Sequence, residues 1–286
     1  IEHPALWAED VFNIPSHLFK RWSTRHGEEA ATELAKWYLQ EPPLCLWSND
    51  DEVVDIGSLG VEDATPSKVS SALHIPSNQI SAVLQSEAFA QGKVWVQGET
   101  AQRAGAMLEL KPGDRALDVC AAPGTKAMQL ARKGASVIAC DLSARRLSLM
   151  VPEMHRQGGG LPIQLVACDG GSALADGELF EGVLVDAPCS NTGVLGARPG
   201  ARWRFGPANI KALTDLQGTL IEQAAQRVTP GGQLVWSVCS IEPEEGEQRV
   251  RSFLREHPDF ELDESFLTLP GPAGSVDGGF AARLRR

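Results

Sequence analysis

No stretch of this sequence stays apolar for the roughly 18 residues a membrane-spanning helix needs, so no membrane segment is expected. The opening, IEHPALWAED, has neither the basic stretch nor the apolar core of a secretory signal. It also lacks an initiator methionine, which raises the expectation that further residues precede it. Six cysteines, Cys45, Cys120, Cys140, Cys168, Cys189 and Cys239, form no C-x-x-C pair and have no histidine-rich partner set. That argues against a zinc site or a disulfide framework, so no metal is expected, and a reducing cytoplasm fits the thiols. Internal repeats and low-complexity segments are missing too.

Positive charge is scarce. With 37 acids against 26 bases, the net charge of −11 argues against a surface that binds nucleic acid everywhere. The imbalance is uneven: residues 1–95 hold 14 acids and 6 bases, residues 96–286 hold 23 and 20. Between Ala187 and Thr214 carboxylates vanish, while Arg198, Arg202, Arg204 and Lys211 stand with Trp203 and Phe205. Such a run can take a phosphate chain on an otherwise acidic protein, and it reads equally as a solvated loop.

What remains is an ordinary globular composition, 43% hydrophobic and 22% charged, in 286 residues. That length suits one large domain or two ordinary ones. Residues 15–41 read as helical, starting at Pro15-Ser16, with Ala31, Leu34, Ala35 and Tyr38 at helical spacing and Pro42-Pro43 as the stop. A short apolar run, Leu44 to Trp47, follows. In TPSKVSSALH, Thr65 is a natural N-cap and Pro66 a natural first helical residue. QISAVLQS and KVWVQ look strand-like. Residues 1–95 are therefore read as a small α+β unit.

From about residue 100 strands and helices alternate. The strands are RALDVC (115–120), SVIACD (136–141), PIQLVACD (162–169), GVLVDAP (182–188) and QLVWSVCS (233–240). TKAMQLARKG, closed by Gly134, is an amphipathic helix, and a second helix spans about Asn209 to Val228, stopped by PGG at 230–232. FELDESFLTL and GGFAARLRR make an antiparallel closing pair. Near-continuous apolar strands alternating with helices mean an α/β fold, doubly wound around a parallel sheet. Residues 96–286 form this second domain.

In such sheets ligands sit beyond the carboxyl ends of the strands. The first turn, Cys120-Ala121-Ala122-Pro123-Gly124-Thr125-Lys126, is small and opens a helix, so a ligand can approach its backbone. It is neither a P-loop nor the G-x-G-x-x-G of dinucleotide enzymes, which leaves a nicotinamide dehydrogenase without its fingerprint. Asp141 lies 21 residues after Cys120, where a carboxylate accepts from ribose hydroxyls, and Asp169 ends the third strand within reach of an adenine amine. A nucleoside without pyrophosphate fits, S-adenosylmethionine above all. Both acids are equally natural helix caps.

DAPCSNTGV (Asp186 to Val194) and the end of QLVWSVCS then bring an acid and two thiols to the same end of the sheet. If those strands are neighbours, about 4.8 Å apart, Cys189 and Cys239 face one pocket. Carbon 5 of a cytosine is too weak a nucleophile to attack a sulfonium methyl. A thiolate added at C6 makes it an enamine, with Asp186 beside N3 to absorb charge and a second group near C5 to help elimination. An amino-methylating enzyme would want Pro-Pro and an aromatic after the acid, which DAPC lacks. Cys120, Cys140 and Cys168 read as structural thiols.

LDVCAAPGTK, DAPCSNTGV and VWSVCSIEPEEGE together resemble the Nop/Sun family of RNA cytosine-C5 methyltransferases, within it the bacterial RsmB type that acts on small-subunit ribosomal RNA. The likeness runs from about residue 14 to the end, including IPSHLFKRW, KVWVQGETAQ and DGGFAARL. It implies a class I methyltransferase domain preceded by an RRM-like module, with S-adenosylmethionine as cofactor, RNA as partner and a monomeric state. Cys239 would be the nucleophile and Cys189 the aid to product release. Asp186 would border base and cofactor, and Lys126 belongs to both the catalytic and the cofactor sets. Residues Cys120 to Lys126, Asp141 and Asp169 would hold the cofactor, with Arg146 a further candidate. Alternatives are a tRNA target, or a catalytically idle RNA-binding assembly factor on the same scaffold. Three departures stand out: Thr125 replaces a glycine and would cap the next helix, SVCS replaces T-C-S, and PPLCLWSND lacks an arginine expected to touch RNA.

Overall fold

A computed structural model of the chain describes residues 3–48, 56–271 and 275–286. Three helices come first, α1 (Pro4–Phe12), α2 (Ser16–His26) and α3 (Glu28–Trp37). The single helix expected over 15–41 is two, because Gly27 turns the chain at φ 87°, a conformation side chains oppose. Pro15 does precede the helix start, and Ala31, Leu34, Ala35 and Tyr38 share one buried face.

Next come β1 (Leu44–Ser48), α4 (Ile56–Leu59), β2 (Thr65–Pro66), β3 (Leu73–Ile75), α5 (Ile80–Gln85), α6 (Glu87–Ala90) and β4 (Val94–Val96). The strands pair antiparallel in the order β2-β3-β1-β4. Two expectations fail here. Thr65 and Pro66 start no helix but form an edge strand, where a residue without an N–H costs no ladder bond. Ile80–Gln85 is helical rather than extended; over six residues an apolar run does not reveal its period.

Alternation along β1 and β4 gives this small sheet two different faces. Leu46 and Val94 meet Leu59, Ile75 and Val83 on one side. Cys45, Trp47 and Trp95 pack with Ala72, Val276 and Trp37 on the other. Trp47 lies directly opposite Trp95. The Trp47 indole N–H donates to the Gln97 carbonyl at 2.6 Å, and that of Trp95 to Gln97 Oε1 at 3.3 Å. The guanidinium of Arg132 sits 3.8 Å from the centre of the Trp95 ring.

The remaining chain runs α7 (Glu99–Ala106), β5 (Arg115–Val119), α8 (Thr125–Arg132), β6 (Ser136–Asp141), α9 (Ala144–Ser148), α10 (Met150–Arg156), β7 (Ile163–Ala167), β8 (Phe180–Asp186), α11 (Pro207–Ala225), β9 (Val228–Val238), α12 (Glu247–Glu256), β10 (Glu261–Thr268) and β11 (Gly279–Arg285). Its sheet has the order β10-β11-β9-β8-β5-β6-β7, parallel from β9 to β7, with β10 and β11 antiparallel at the edge. Both faces are covered: Leu117, Val183 and Val185 join α11 and α12, while Ala116 and Leu184 join α7 and α8. This is the α/β arrangement that the continuous apolar runs predict. One detail differs. Pro230-Gly231-Gly232 does not stop α11, which ends at Ala225, but lies inside β9 where its register against β8 breaks. Among the described residues no helix is long and apolar enough to cross a membrane.

The order reverses between β5 and β8, which opens a crevice at their carboxyl ends. The helical layer α1–α3 borders it by packing on Leu195, Ala201, Phe205 and Ile241. Arg202 belongs to this contact and not to an RNA-facing stretch. It is 3% exposed, and its guanidinium donates to the carbonyls of Asn13 at 3.0 Å and of Tyr38 and Leu195 at 3.3 Å. Phe205 is buried as well, and Lys211 pairs with Asp215. Arg198, Trp203, Arg204 and Lys211 are the exposed members of that run. Replacing Arg202 with Ala strands several buried carbonyls. The expected loss is roughly 2–4 kcal/mol of stability in urea titration, and Lys, lacking the fork, should not restore it.

Candidate active site

The β5–α8 turn is built as the sequence suggests. Ala121, Ala122 and Gly124 are buried, Pro123 is exposed, and Gly124 turns at φ 97° where an added Cβ would lie 2.3 Å from Met150. Gly124 itself is the N-cap of α8 and no side chain caps the helix, so the capping role expected of Thr125 is not seen. Asp141 ends β6 beside this turn, 3% exposed. It accepts from the Ser143 amide at 2.9 Å and the Ala122 amide at 3.3 Å. Arg146 crosses above it, pairing with Asp141 at 3.1 Å and donating to the Ala122 carbonyl. Leu142, 77% exposed directly after Asp141, offers an apolar face that the sequence reading passed over. Asp169, just beyond β7, is exposed. A backbone cradle, a fixed acid, an exposed leucine and an outer acid suit a nucleoside, so the residues present fit the expected cofactor.

Across the crevice, β8 and β9 are neighbours, with Asp186 level with Ser237. Cys120 is half-buried against the core, where burial and then the charges of Asp118, Asp141 and Asp186 push its thiol up to about 12. Cys140 and Cys168 lie within that core. Cys189 and Cys239 meet, Sγ to Sγ, at 2.9 Å. Asn191, another residue not anticipated, bridges their turns. Its Nδ2 donates to the Cys189 carbonyl at 2.8 Å, while its Oδ1 accepts from Cys239 Sγ at 3.2 Å and from Arg198 at 2.8 Å. The hydrogen bond to Cys239, burial and the nearby Glu245 all hold the Cys189 thiol well above its ordinary range. Either sulfur can be the donor in their 2.9 Å contact.

Lys126 reaches the same place. Its ammonium donates to Asp186 Oδ2 at 2.7 Å, and Ser237 Oγ donates to Oδ1 at 3.1 Å. Burial alone would favour the neutral amine, but Asp186, Asp118 and Cys239 raise its pKa. Pro123, Thr125, Lys126, Asp186 and Cys239 thus line one cleft of about 550 Å³, whose far wall carries Trp37, Gln97 and Asp277. Cys45, His74 and Glu99 also converge near the cleft, their donor atoms within 4.8 Å of one another. Glu99, however, already accepts from Ser67, Ser70, His74 and the Val276 amide, which against its burial hold the carboxyl down to about 2. Protein donors account for that group.

The model of the RsmB/F family, described as 16S rRNA methyltransferases, matches residues 105–275. The ribosomal RNA small subunit methyltransferase B of Klebsiella pneumoniae is 33% identical over 310 residues, covering 99% of this chain and 69% of its own length. Its counterpart in Thermus thermophilus is 38% identical over 190 residues, covering 63% of this chain and 47% of its own. The chain thus spans about half the length of some relatives it matches. NSun6 from Pyrococcus horikoshii, crystallised with SFG, superposes with a TM-score of 0.80 over 95% of this chain and 98% of that one. At 20% identity this likeness speaks for the fold alone.

Asp118, hidden within LDVC, lies fully buried between β5 and α8, and neither side-chain oxygen has a hydrogen-bond partner among the described residues. Burial and then the Asp186 charge push its carboxyl up to about 8, against the pull of Lys126. An unfolded chain releases this proton near the ordinary 3.8, so the folded state binds more protons through the window from about 4 to 8. The contribution to stability is complete at acid pH and is lost as pH rises through that window. Asp118→Asn removes the penalty, so its melting temperature should exceed that of the wild type by several degrees at pH 8 and converge with it near pH 4. A pH series of thermal melts measures this, and a wild type that stays ahead at pH 8 contradicts it.

Proposed function

Because the chain belongs to the RsmB/F family of 16S rRNA methyltransferases, we propose that it methylates carbon 5 of a cytosine in small-subunit ribosomal RNA through a covalent adduct on Cys239. The observation that carries this reading is the 2.9 Å contact between Cys189 and Cys239, with Cys239 on a cleft that also holds Lys126 and Asp186. The backbone from Cys120 to Lys126 would hold S-adenosylmethionine, with Asp141 and Asp169 accepting from its ribose and adenine and Arg146 moving aside. That cofactor supplies an electrophilic methyl group.

The chain's own residues do the rest. Cys239, whose thiol rests against Asn191 Oδ1, gives up its proton to solvent and reacts as the thiolate. It bonds to C6, and the ring electrons shift toward N3, where the Lys126–Asp186 pair meets the developing charge. Carbon 5 is then an enamine carbon able to take a methyl. Once a base removes the C5 proton, the C5–C6 double bond re-forms and the S–C6 bond breaks. The Cys189 thiol, 2.9 Å from Cys239 Sγ, would donate its proton to that sulfur as it leaves. Retention of both thiols at contact distance leaves the idle-scaffold alternative without support.

Residues 1–95 are proposed as an RRM-like module and 96–286 as the methyltransferase domain. The β-α-β-β-α-β order of the small unit and its strand order support that division. Its tryptophan face is buried, however, so RNA would contact its edges and loops rather than stack on the sheet. Arg198, which lines the cleft, and the exposed Trp203 and Arg204 are the proposed backbone contacts.

Labelled S-adenosylmethionine and 16S rRNA fragments test the scheme. Cys239→Ala should cut methyl transfer by about 10³-fold or more while S-adenosylhomocysteine binds as before. Cys189→Ala should trap a denaturant-resistant protein–RNA adduct. Activity surviving in the Cys239 variant would exclude this nucleophile.

A further inference from the structure

Downstream of Cys239 the chain runs Ser240-Ile241-Glu242-Pro243-Glu244-Glu245-Gly246, acidic enough to read as a solvated turn. Glu245 is instead wholly buried. No cation pairs with it in the ion pairs described, yet every oxygen is satisfied. Oε1 accepts from the Ser190 amide at 2.9 Å and from Gln217 Nε2 at 3.0 Å. Oε2 accepts from Ser240 Oγ at 2.5 Å and from Ser190 Oγ. Its own carbonyl accepts from the Trp236 indole at 2.9 Å. Ser190 follows Cys189 and Ser240 follows Cys239, so one carboxylate grips the residue after each thiol.

The grip is reinforced from both sides. The two hydroxyls lie 3.1 Å apart, and Thr192 Oγ1 sits 3.1 Å from Ser240 Oγ while accepting from the Ile241 amide at 3.1 Å. Gln217, from α11, also donates to the Pro188 carbonyl at 2.9 Å, which ties the Cys189 turn to the helix behind it. A carboxylate is acceptor-only, and four donors, three from the two turns and one from α11, match its capacity. No neutral side chain of similar size offers that. Burying an acid without a counter-ion is costly unless its hydrogen bonds are complete, so this arrangement opposes any separation of the turns.

We propose that Glu245 is a positioning residue that clamps the Cys189 and Cys239 turns together and so fixes the spacing of the two thiols for the methyl-transfer cycle. The proposal rests on Cys239 acting as the nucleophile. Displacing a reacting sulfur by about 1 Å is enough to cost on the order of 10²-fold in rate. Glu245 touches neither cleft nor thiols, so its effect should fall on turnover and leave the binding of either ligand alone.

Sulfur spacing can be read without any methylation. In a glutathione redox buffer two protein thiols and oxidised glutathione yield a protein disulfide and two reduced glutathiones, with an equilibrium constant that reports how well the sulfurs face each other. For the purified full chain, Glu245→Ala should lower that constant by about tenfold or more and slow single-turnover methyl transfer by about tenfold to 10²-fold. RNA KM and S-adenosylhomocysteine affinity should stay within about twofold of wild type. Glu245→Gln, whose amide nitrogen turns toward incoming donors, should fall between. Should Glu245→Ala fail to fold, Ser190→Ala and Ser240→Ala each remove one donor and should each shift the equilibrium in the same direction. Unchanged glutathione equilibrium, or a shifted one with undiminished turnover, would overturn the clamp. A wild-type chain inert on every RNA, with the equilibrium still shifted by Glu245→Ala, would refute the methyltransferase reading and uphold the clamp.

Discussion

Everything at the cleft depends on the parallel register of β8 against β9, which sets Asp186 beside Ser237. Side chains alternate with a period of two, so a one-residue slip would turn Asp186 away from Lys126 and carry Cys239 off Cys189. The register is secured twice. Leu184 and Val235 on one face, Val183, Val185, Leu234 and Trp236 on the other, are wholly buried, so any slip exposes apolar surface. Beyond the strands, the Ala187 amide donates to the Ser237 carbonyl and the Gly193 amide to that of Cys239. Gly193 is needed at that crossing, since an added Cβ would lie 2.3 Å from the Gly278 carbonyl oxygen.

The three carboxylates that follow Cys239 divide their tasks. Glu242, nearly unexposed, accepts from Arg21 at 2.9 Å and from the Trp22 indole at 3.1 Å, drawing α2 onto the cysteine turn. Glu244 takes the other side of the same guanidinium. Glu245 faces inward to Ser190 and Ser240. Helical layer, sheet and cysteine turns are thereby joined through the four residues Glu242 to Glu245. Such charge pairs gain most where a planar guanidinium meets a carboxylate out of water.

The large sheet was legible because strands buried on both faces leave unbroken apolar runs bounded by turn residues, and their carboxyl ends announce where ligands go. Cys189, Cys239, Asp186 and Lys126 could be grouped on that ground; the structure brings Cys239, Asp186 and Lys126 to one cleft and sets Cys189 against Cys239. The small unit was harder. Its strands have two to five residues, too short for alternation to separate extended from helical chain, as Ile80–Gln85 shows. Buried charge was the other blind spot. Arg202, Asp118 and Glu245 look like surface residues, because composition cannot show that distant carbonyls, a neighbouring aspartate or paired serines await them. Gly27 ended a helix that periodicity alone would have continued.

The cross-strand pair Trp47 and Trp95, sealed by Arg132, Trp37 and Val276, welds the small sheet to the larger one where a hinge would otherwise be natural. One wall of the cleft is therefore finished when the chain folds. On the proposed function, an entering nucleotide would meet a mould rather than a closing jaw, and immobilising that wall, about 0.5–1.5 kcal/mol for each rotamer-rich side chain, would be no part of the encounter. Discrimination would then come from refusal: a base of the wrong outline would find nothing willing to move.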